Sequence, residues 1–231
     1  MEPNKSDSGN IEEQERVVIK KDRSNLIIKI AGSAIFSALS YVVQWAFKPI
    51  VDAFRIPGWE MTWFDPVSII WIMAFFIFGY EAGFLTTIIG SLLLLLTDPA
   101  AWLGPLMKFT ATIPLIIVPL VVMKLRRKTL TSENLLEKKN IILSWFGSVS
   151  IRVPVMMLMN YIAIIYLLPL ILPFPISPAD FNLDYLGLPA VNGWFAVFIT
   201  VIIANTIQTV WDIGGAYLIV KAVLKIRNIP W

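Results

Sequence analysis

The chain has 231 residues, of which 57% are hydrophobic and 15% charged, with a mean hydropathy of +0.73, against roughly half and a quarter in an average soluble domain. That surplus excludes a soluble globular protein, and a formal charge of only +3 leads us to expect no nucleic-acid partner. Cys and His are both absent, which removes disulfides, thiol nucleophiles, imidazole acid–base catalysis and most zinc, copper or haem ligation.

The fold class expected is an all-α integral membrane protein with one membrane domain, residues 26–231. Residues 1–25 are polar, mixed in charge and free of aromatics, and read as a disordered cytoplasmic tail. No short basic start followed by an apolar stretch and a cleavage site marks them as a signal peptide. A bilayer core of about 30 Å needs about 20 apolar residues per helix. By that rule six spans are predicted, near 26–48, 64–79, 80–97, 102–124, 141–170 and 193–224. The second and third meet at the glycine-bearing turn Gly79 to Gly83. Two connections read as non-helical: 49–63, with two prolines and two tryptophans, and the Pro-rich 171–192.

Lys and Arg counts orient the spans. With an inside N-terminus, 15 of the 19 basic residues fall on the cytoplasmic side. Lys48 and Arg55 lie in the first external loop, and Lys108 and Arg152 lie inside spans. The topology expected is N-in, C-in, in the cell membrane, with multiple passes and lipid as the surrounding partner.

Charges at membrane depth need a partner, a wet cavity or a route to the surface. Lys108, near the external end of the fourth span, can snorkel outward or contact a ligand. Arg152 sits nearer the middle of the fifth span, and an ion pair with Asp212 of the sixth is favoured over ligand contact. Arg152, Met156 and Asn160 recur every four residues, as do Asn205, Gln208 or Thr209, and Asp212, giving each helix one polar stripe. Carboxamides in such stripes serve either to read a heteroaromatic ring or polyol or to bond one helix to another. In the first span Ala31, Ser33, Ala34, Ser37 and Ala38 make a small-residue face suited to close approach of a helix, from this chain or another. Trp59 and Trp63 are either interfacial anchors or a lid.

No GxxxxGK[ST], GxSxG or HExxH motif occurs, so no ATPase, serine hydrolase or zinc peptidase is expected. A membrane-embedded enzyme would have to work with Asp65, Asp98 or Asp212, which form no clustered pair in the sequence. A solitary ion-coupled carrier would use Arg152 and Asp212 as its relay, but the duplicated halves common in such carriers are not visible.

Six segments taken together carry a resemblance. They are AIFSALS (Ala34 to Ser40), WFDPVSI (Trp63 to Ile69), FGYEAGFLTTIIGSLL (Phe78 to Leu93), GPLMKFTATIP (Gly104 to Pro114), IRVPVMMLMNY (Ile151 to Tyr161) and NTIQTVWDIGGAYL (Asn205 to Leu218). Their order and spacing resemble the substrate-binding S components of energy-coupling factor (ECF) vitamin transporters, most closely the riboflavin-type group. The resemblance implies a non-enzymatic protein with no cofactor, which captures a vitamin, riboflavin first, and works with a membrane coupling (T) subunit and two cytoplasmic ATPases. It gives Ala34 and Ala38 the coupling-subunit interface. It makes Trp59, Lys108, Asn160, Asn205 and Gln208 the candidate substrate-binding residues. Two positions depart from the riboflavin pattern: Gln208 stands where a Lys is usual, and Lys108 where an Asn is common. Another vitamin or an anionic micronutrient is therefore the alternative.

Overall fold

Hydropathy becomes helix close to where the sequence places it. The computed structural model describes residues 5–57, 59, 61–98, 102–172 and 176–226, with 5–23 and 224–226 described as backbone. In chain order the helices are α1 (Lys5–Ala46), α2 (Lys48–Ala53), α3 (Pro66–Phe78), α4 (Tyr80–Leu94), α5 (Leu103–Leu125), α6 (Ser132–Leu135), α7 (Lys138–Ile162), α8 (Leu168–Ile171) and α9 (Gly193–Ile226). Among the described residues, four helices are long and apolar enough to cross a membrane: Ser24–Ala46, Leu103–Leu125, Lys138–Ile171 and Gly193–Val223. The third joins α7 to α8 through a π-helical turn, Ala163–Leu167. α3 and α4 are apolar but shorter, with 13 and 15 residues.

Three expectations change. Residues 1–4 of the expected tail lie outside the described residues, but from Lys5 onward the tail is helix. Glu, Gln, Lys and Arg there are good helix formers, and extending an existing apolar helix needs no new nucleus. The loop expected at 49–63 begins instead with α2, whose Pro49 stands in the first turn, where no N–H is needed. The all-α expectation also gives way in 171–192. There Asn182–Leu183 (β1) and Leu188–Asn192 (β2) form an antiparallel hairpin around Gly187, which adopts φ 73°.

α3 is the central helix. Eleven of its 13 residues are buried, as an all-apolar helix surrounded by protein should be. Asp65 caps it, its Oδ1 accepting from the Val67 N–H at 3.0 Å. Gly79, at φ 93°, turns the chain into α4, which runs back antiparallel to α3. α1 lies against both, and Ser33 and Ser37 reach the Ala82 and Thr86 carbonyls of α4 at 3.1 and 3.2 Å. Ser33, Ser37 and Ser40 are therefore buried, while Ala31, Ala34 and Ala38 on the other face are exposed. The wall closes through α5 and α7, and then α9, which passes antiparallel to α7 and parallel to α3.

Close packing of α3 on α4 depends on glycine. A Cβ on Gly90 would stand 2.4 Å from Trp71 Nε1, and that indole is fully buried and donates to Ser40 Oγ at 2.9 Å. Gly90→Ala is expected to lower stability by about 1–3 kcal/mol through overpacking. Gly214→Ala, with nothing within 4 Å of the added carbon, is expected to change it by no more than about 0.5 kcal/mol. Thermal unfolding of the two variants in the same detergent checks the contrast.

Two apolar clusters fill the interior. One, around Phe75, Phe76, Leu115, Met123 and Ile213, occupies the end near Gly79. The other, around Ile56, Trp59, Ala111, Met156, Val197 and Val201, occupies the opposite end beneath the long connections.

Candidate functional site

The second cluster marks the candidate site. Its walls are the first half of α5, the last half of α7 and the first half of α9, and two connections cover it. The first cover is a hairpin-like loop after α2. The Ile56 N–H bonds the Met61 carbonyl at 2.9 Å, the Trp63 N–H bonds the Phe54 carbonyl at 2.9 Å, and Arg55 bridges Thr62. The second cover is the segment around β1 and β2. The covers meet through aromatic rings, Trp59 on Phe181 at 4.6 Å and Trp63 on Tyr185 at 5.7 Å. Trp59 is 7% exposed, so it is a packed cover residue and not a free interfacial anchor. Met61, Met107, Met157, Trp194 and Phe198 pack against the same cluster and give it an aromatic and thioether surface. Side chains of this kind suit a flat, apolar-faced ligand.

At the base of the loop, Lys48 and Arg55 bond the two oxygens of Asp52 at 3.1 and 2.9 Å. These bonds, that of Lys48 foremost, hold the Asp52 carboxyl below its ordinary pKa.

Beneath the cluster lies a polar layer. Arg152, 2% exposed, lies in a row of α7 residues, Asn140, Ser144, Ser148, Arg152, Met156 and Asn160, all buried and all four apart. The stripe legible at 152, 156 and 160 thus runs the length of the helix. The Arg152 guanidinium is held at three atoms by α9. Nε donates to Asn205 Oδ1 at 3.0 Å, Nη1 to Asp212 Oδ2 at 2.6 Å and Thr209 Oγ1 at 3.3 Å, and Nη2 to Gln208 Oε1 at 2.8 Å. The Arg152–Asp212 pair is the one the sequence favoured.

The other candidates are placed as follows. Asn205 gives its oxygen to Arg152 and its amide to the Val201 carbonyl at 2.9 Å. Gln208 binds Arg152 with its oxygen and the Thr62 carbonyl of the covering loop with its amide. Lys108 neither snorkels nor stands alone, since it pairs with Asp65, whose other oxygen caps α3. Asn160 donates to the Met156 carbonyl at 2.8 Å, one turn from the methionine of the apolar cluster. The structure therefore brings Trp59 and Asn160 to the cluster, and it engages Lys108, Asn205 and Gln208 with protein groups. Sequence reasoning missed Asp65 as the partner of Lys108. It also named Thr209 only as an alternative to Gln208, although both reach Arg152. The four-residue repeat on α7 could have extended the stripe to Ser144 and Ser148.

The arrangement is a packed cluster of aromatic and thioether side chains under two connecting segments, with the ion pairs Lys108–Asp65 and Arg152–Asp212 on the helices that build it, and among the described residues no cluster of acidic groups could hold a metal ion. Searches for a matching family model and for a matching curated protein returned none. A comparison with solved structures did match: the S component of a bacterial ECF transporter, with a TM-score of 0.51 over 85% of this chain and 93% of that one, at 16% identity. The two proteins share a fold. At that identity the likeness carries architecture alone.

Proposed function

We propose that this protein is a vitamin-binding S component of an ECF-type importer in the cell membrane, with riboflavin as the leading substrate. The observation that carries the proposal is the shared S-component fold together with the aromatic cluster on which the Trp59 loop and the Phe181 segment meet. The chain crosses six times, N-in and C-in. Supporting this are the alternating directions of α1, α3, α4, α5, α7 and α9, which gather Gly79 and the basic 126–137 connection at one end and the covering loops at the other. α3 and α4, about 20 and 22 Å long at a rise of about 1.5 Å per residue, cross where neighbouring helices and local thinning make up the shortfall.

Binding energy comes from burying the ligand's apolar faces against Trp, Met and Phe, with Asn160 orienting it. Energy for import comes from two partner ATPases through a T subunit. The exposed Ala34 and Ala38 face of α1 receives that subunit, since small side chains let a second helix approach closely. Lys108 would have to leave Asp65 to meet an anionic ligand, which favours a neutral vitamin over the anionic alternative.

Titrating the detergent-solubilised protein with a vitamin panel, riboflavin first, tests the proposal. Saturable quenching of flavin fluorescence by the cluster's aromatics is expected, and a panel without any saturable signal would remove the assignment. Replacing Ala34 and Ala38 with Leu is expected to leave that titration unchanged while abolishing co-purification of ATPases. Retained complexes would return this face to contact with lipid. Uptake that stops on ATP depletion but survives collapse of ion gradients would separate this reading from a solitary ion-coupled carrier.

A further inference from the structure

We infer that a groove at the basic end of α5, remote from the Trp59 cluster, binds one anionic phospholipid. The groove has a volume of about 400 Å³ and is lined by Leu120, Val121, Lys124, Lys128 and Leu130. The chain makes it by folding back on itself. Arg127 takes the left-handed conformation at φ 52°, and the Arg126, Arg127 and Lys128 N–H groups bond the Val122, Lys124 and Met123 carbonyls at 3.0, 3.1 and 3.0 Å. This closes the end of α5 and returns residues 128–130 along its last turns. Lys124 and Lys128 thereby stand over an apolar trough whose Val121 and Leu130 are exposed.

The composition of the trough selects its occupant. Two ammonium groups above three aliphatic side chains match an anionic headgroup above an acyl chain, the pairing expected of basic pockets at a membrane surface. Charge in the segment is one-sided, with six basic residues against two acidic ones over 124–139. Glu137 lies 3.6 Å from Lys128 and is shared with Arg126 at 3.8 Å. Among the described residues no carboxylate lies within 4.0 Å of Lys124. A soluble anion would meet the lysines but leave the aliphatic trough unused, so the occupant is a lipid. The site depends on the membrane reading of the chain and not on the identity of the vitamin.

Native mass spectrometry of the full chain, titrated with phosphatidylglycerol and separately with phosphatidylcholine, tests the site. The wild type is expected to retain one phosphatidylglycerol in preference to phosphatidylcholine. Affinity is expected to fall about fivefold for each of Lys124→Gln and Lys128→Gln, the effect of about 1 kcal/mol per basic residue near an anionic surface. Val121→Trp, which fills the trough without touching charge, is expected to abolish the bound lipid. The paired control Lys138→Gln with Lys139→Gln is expected to leave it in place. Equal retention of the two lipids, an equal loss in the control, full binding by Val121→Trp, or displacement by glycerol phosphate at matched concentration would each overturn the site.

Discussion

Arg152→Met is expected to destabilise the protein by about 3–5 kcal/mol, the usual cost of stranding one member of a buried ion pair. Asp212, 1% exposed, would lose the cation that bonds it. Asn205 and Gln208 would lose the donor that fixes their carboxamides. Asp212→Leu is expected to cost a comparable amount, because it leaves the guanidinium uncompensated. The double variant Arg152→Met with Asp212→Leu is expected to recover much of the loss, since a well-packed apolar replacement of a buried pair is often neutral. Arg152→Lys is expected to fall between, because one ammonium cannot bond Asn205, Asp212 and Gln208 from three nitrogens at once. Thermal unfolding of the four variants in one detergent gives the coupling energy as a double-mutant cycle. Additive single effects would show that the pair does not act as a unit.

The same guanidinium is linked through Gln208 to the covering loop. Gln208 spans from Arg152 to the Thr62 carbonyl, so the loop is tied to the Arg152–Asp212 pair as well as to the aromatic cluster.

Trp59→Ala is the second large effect expected. Trp59 packs on Phe181, and its removal is expected to weaken vitamin binding by about 10–100-fold, the equivalent of about 1.5–3 kcal/mol of buried apolar side chain. Most of that loss is expected in the release rate, as for changes within one interface generally. Trp45→Ala is the control, since Trp45 is 72% exposed on the outer face of α1, and it is expected to leave affinity and release unchanged. Stopped-flow displacement of bound vitamin separates the two. An unaltered release rate in Trp59→Ala would make the loop a fixed part of the wall and not a cover.

Much of the helical frame is legible in hydropathy, because a run of apolar residues has few other ways to satisfy its backbone in lipid. The limits predicted at 102–124 and 193–224 lie within two residues of α5 and α9. The Arg152–Asp212 pair was also legible, because two charges on facing polar stripes have few other partners. What escaped depends on tertiary contacts. The small-residue face of α1 divides into buried serines and exposed alanines only once α4 is known to lie against Ser33 and Ser37. Lys108 finds Asp65 across a gap of 43 positions, and Gln208 finds Thr62 across 146. α2 and the β1–β2 hairpin are short and Pro-bearing, so composition alone reads them as loop.

The central claim is that the protein holds a vitamin at the Trp59 cluster, and the most direct measurement is an absorbance and mass spectrum of the small molecule that co-purifies with the protein in mild detergent. The account predicts a stoichiometric bound vitamin, with flavin bands if riboflavin is the substrate, lost in parallel with affinity in Trp59→Ala. A preparation that carries no vitamin, and takes up none when a panel is supplied, would contradict it.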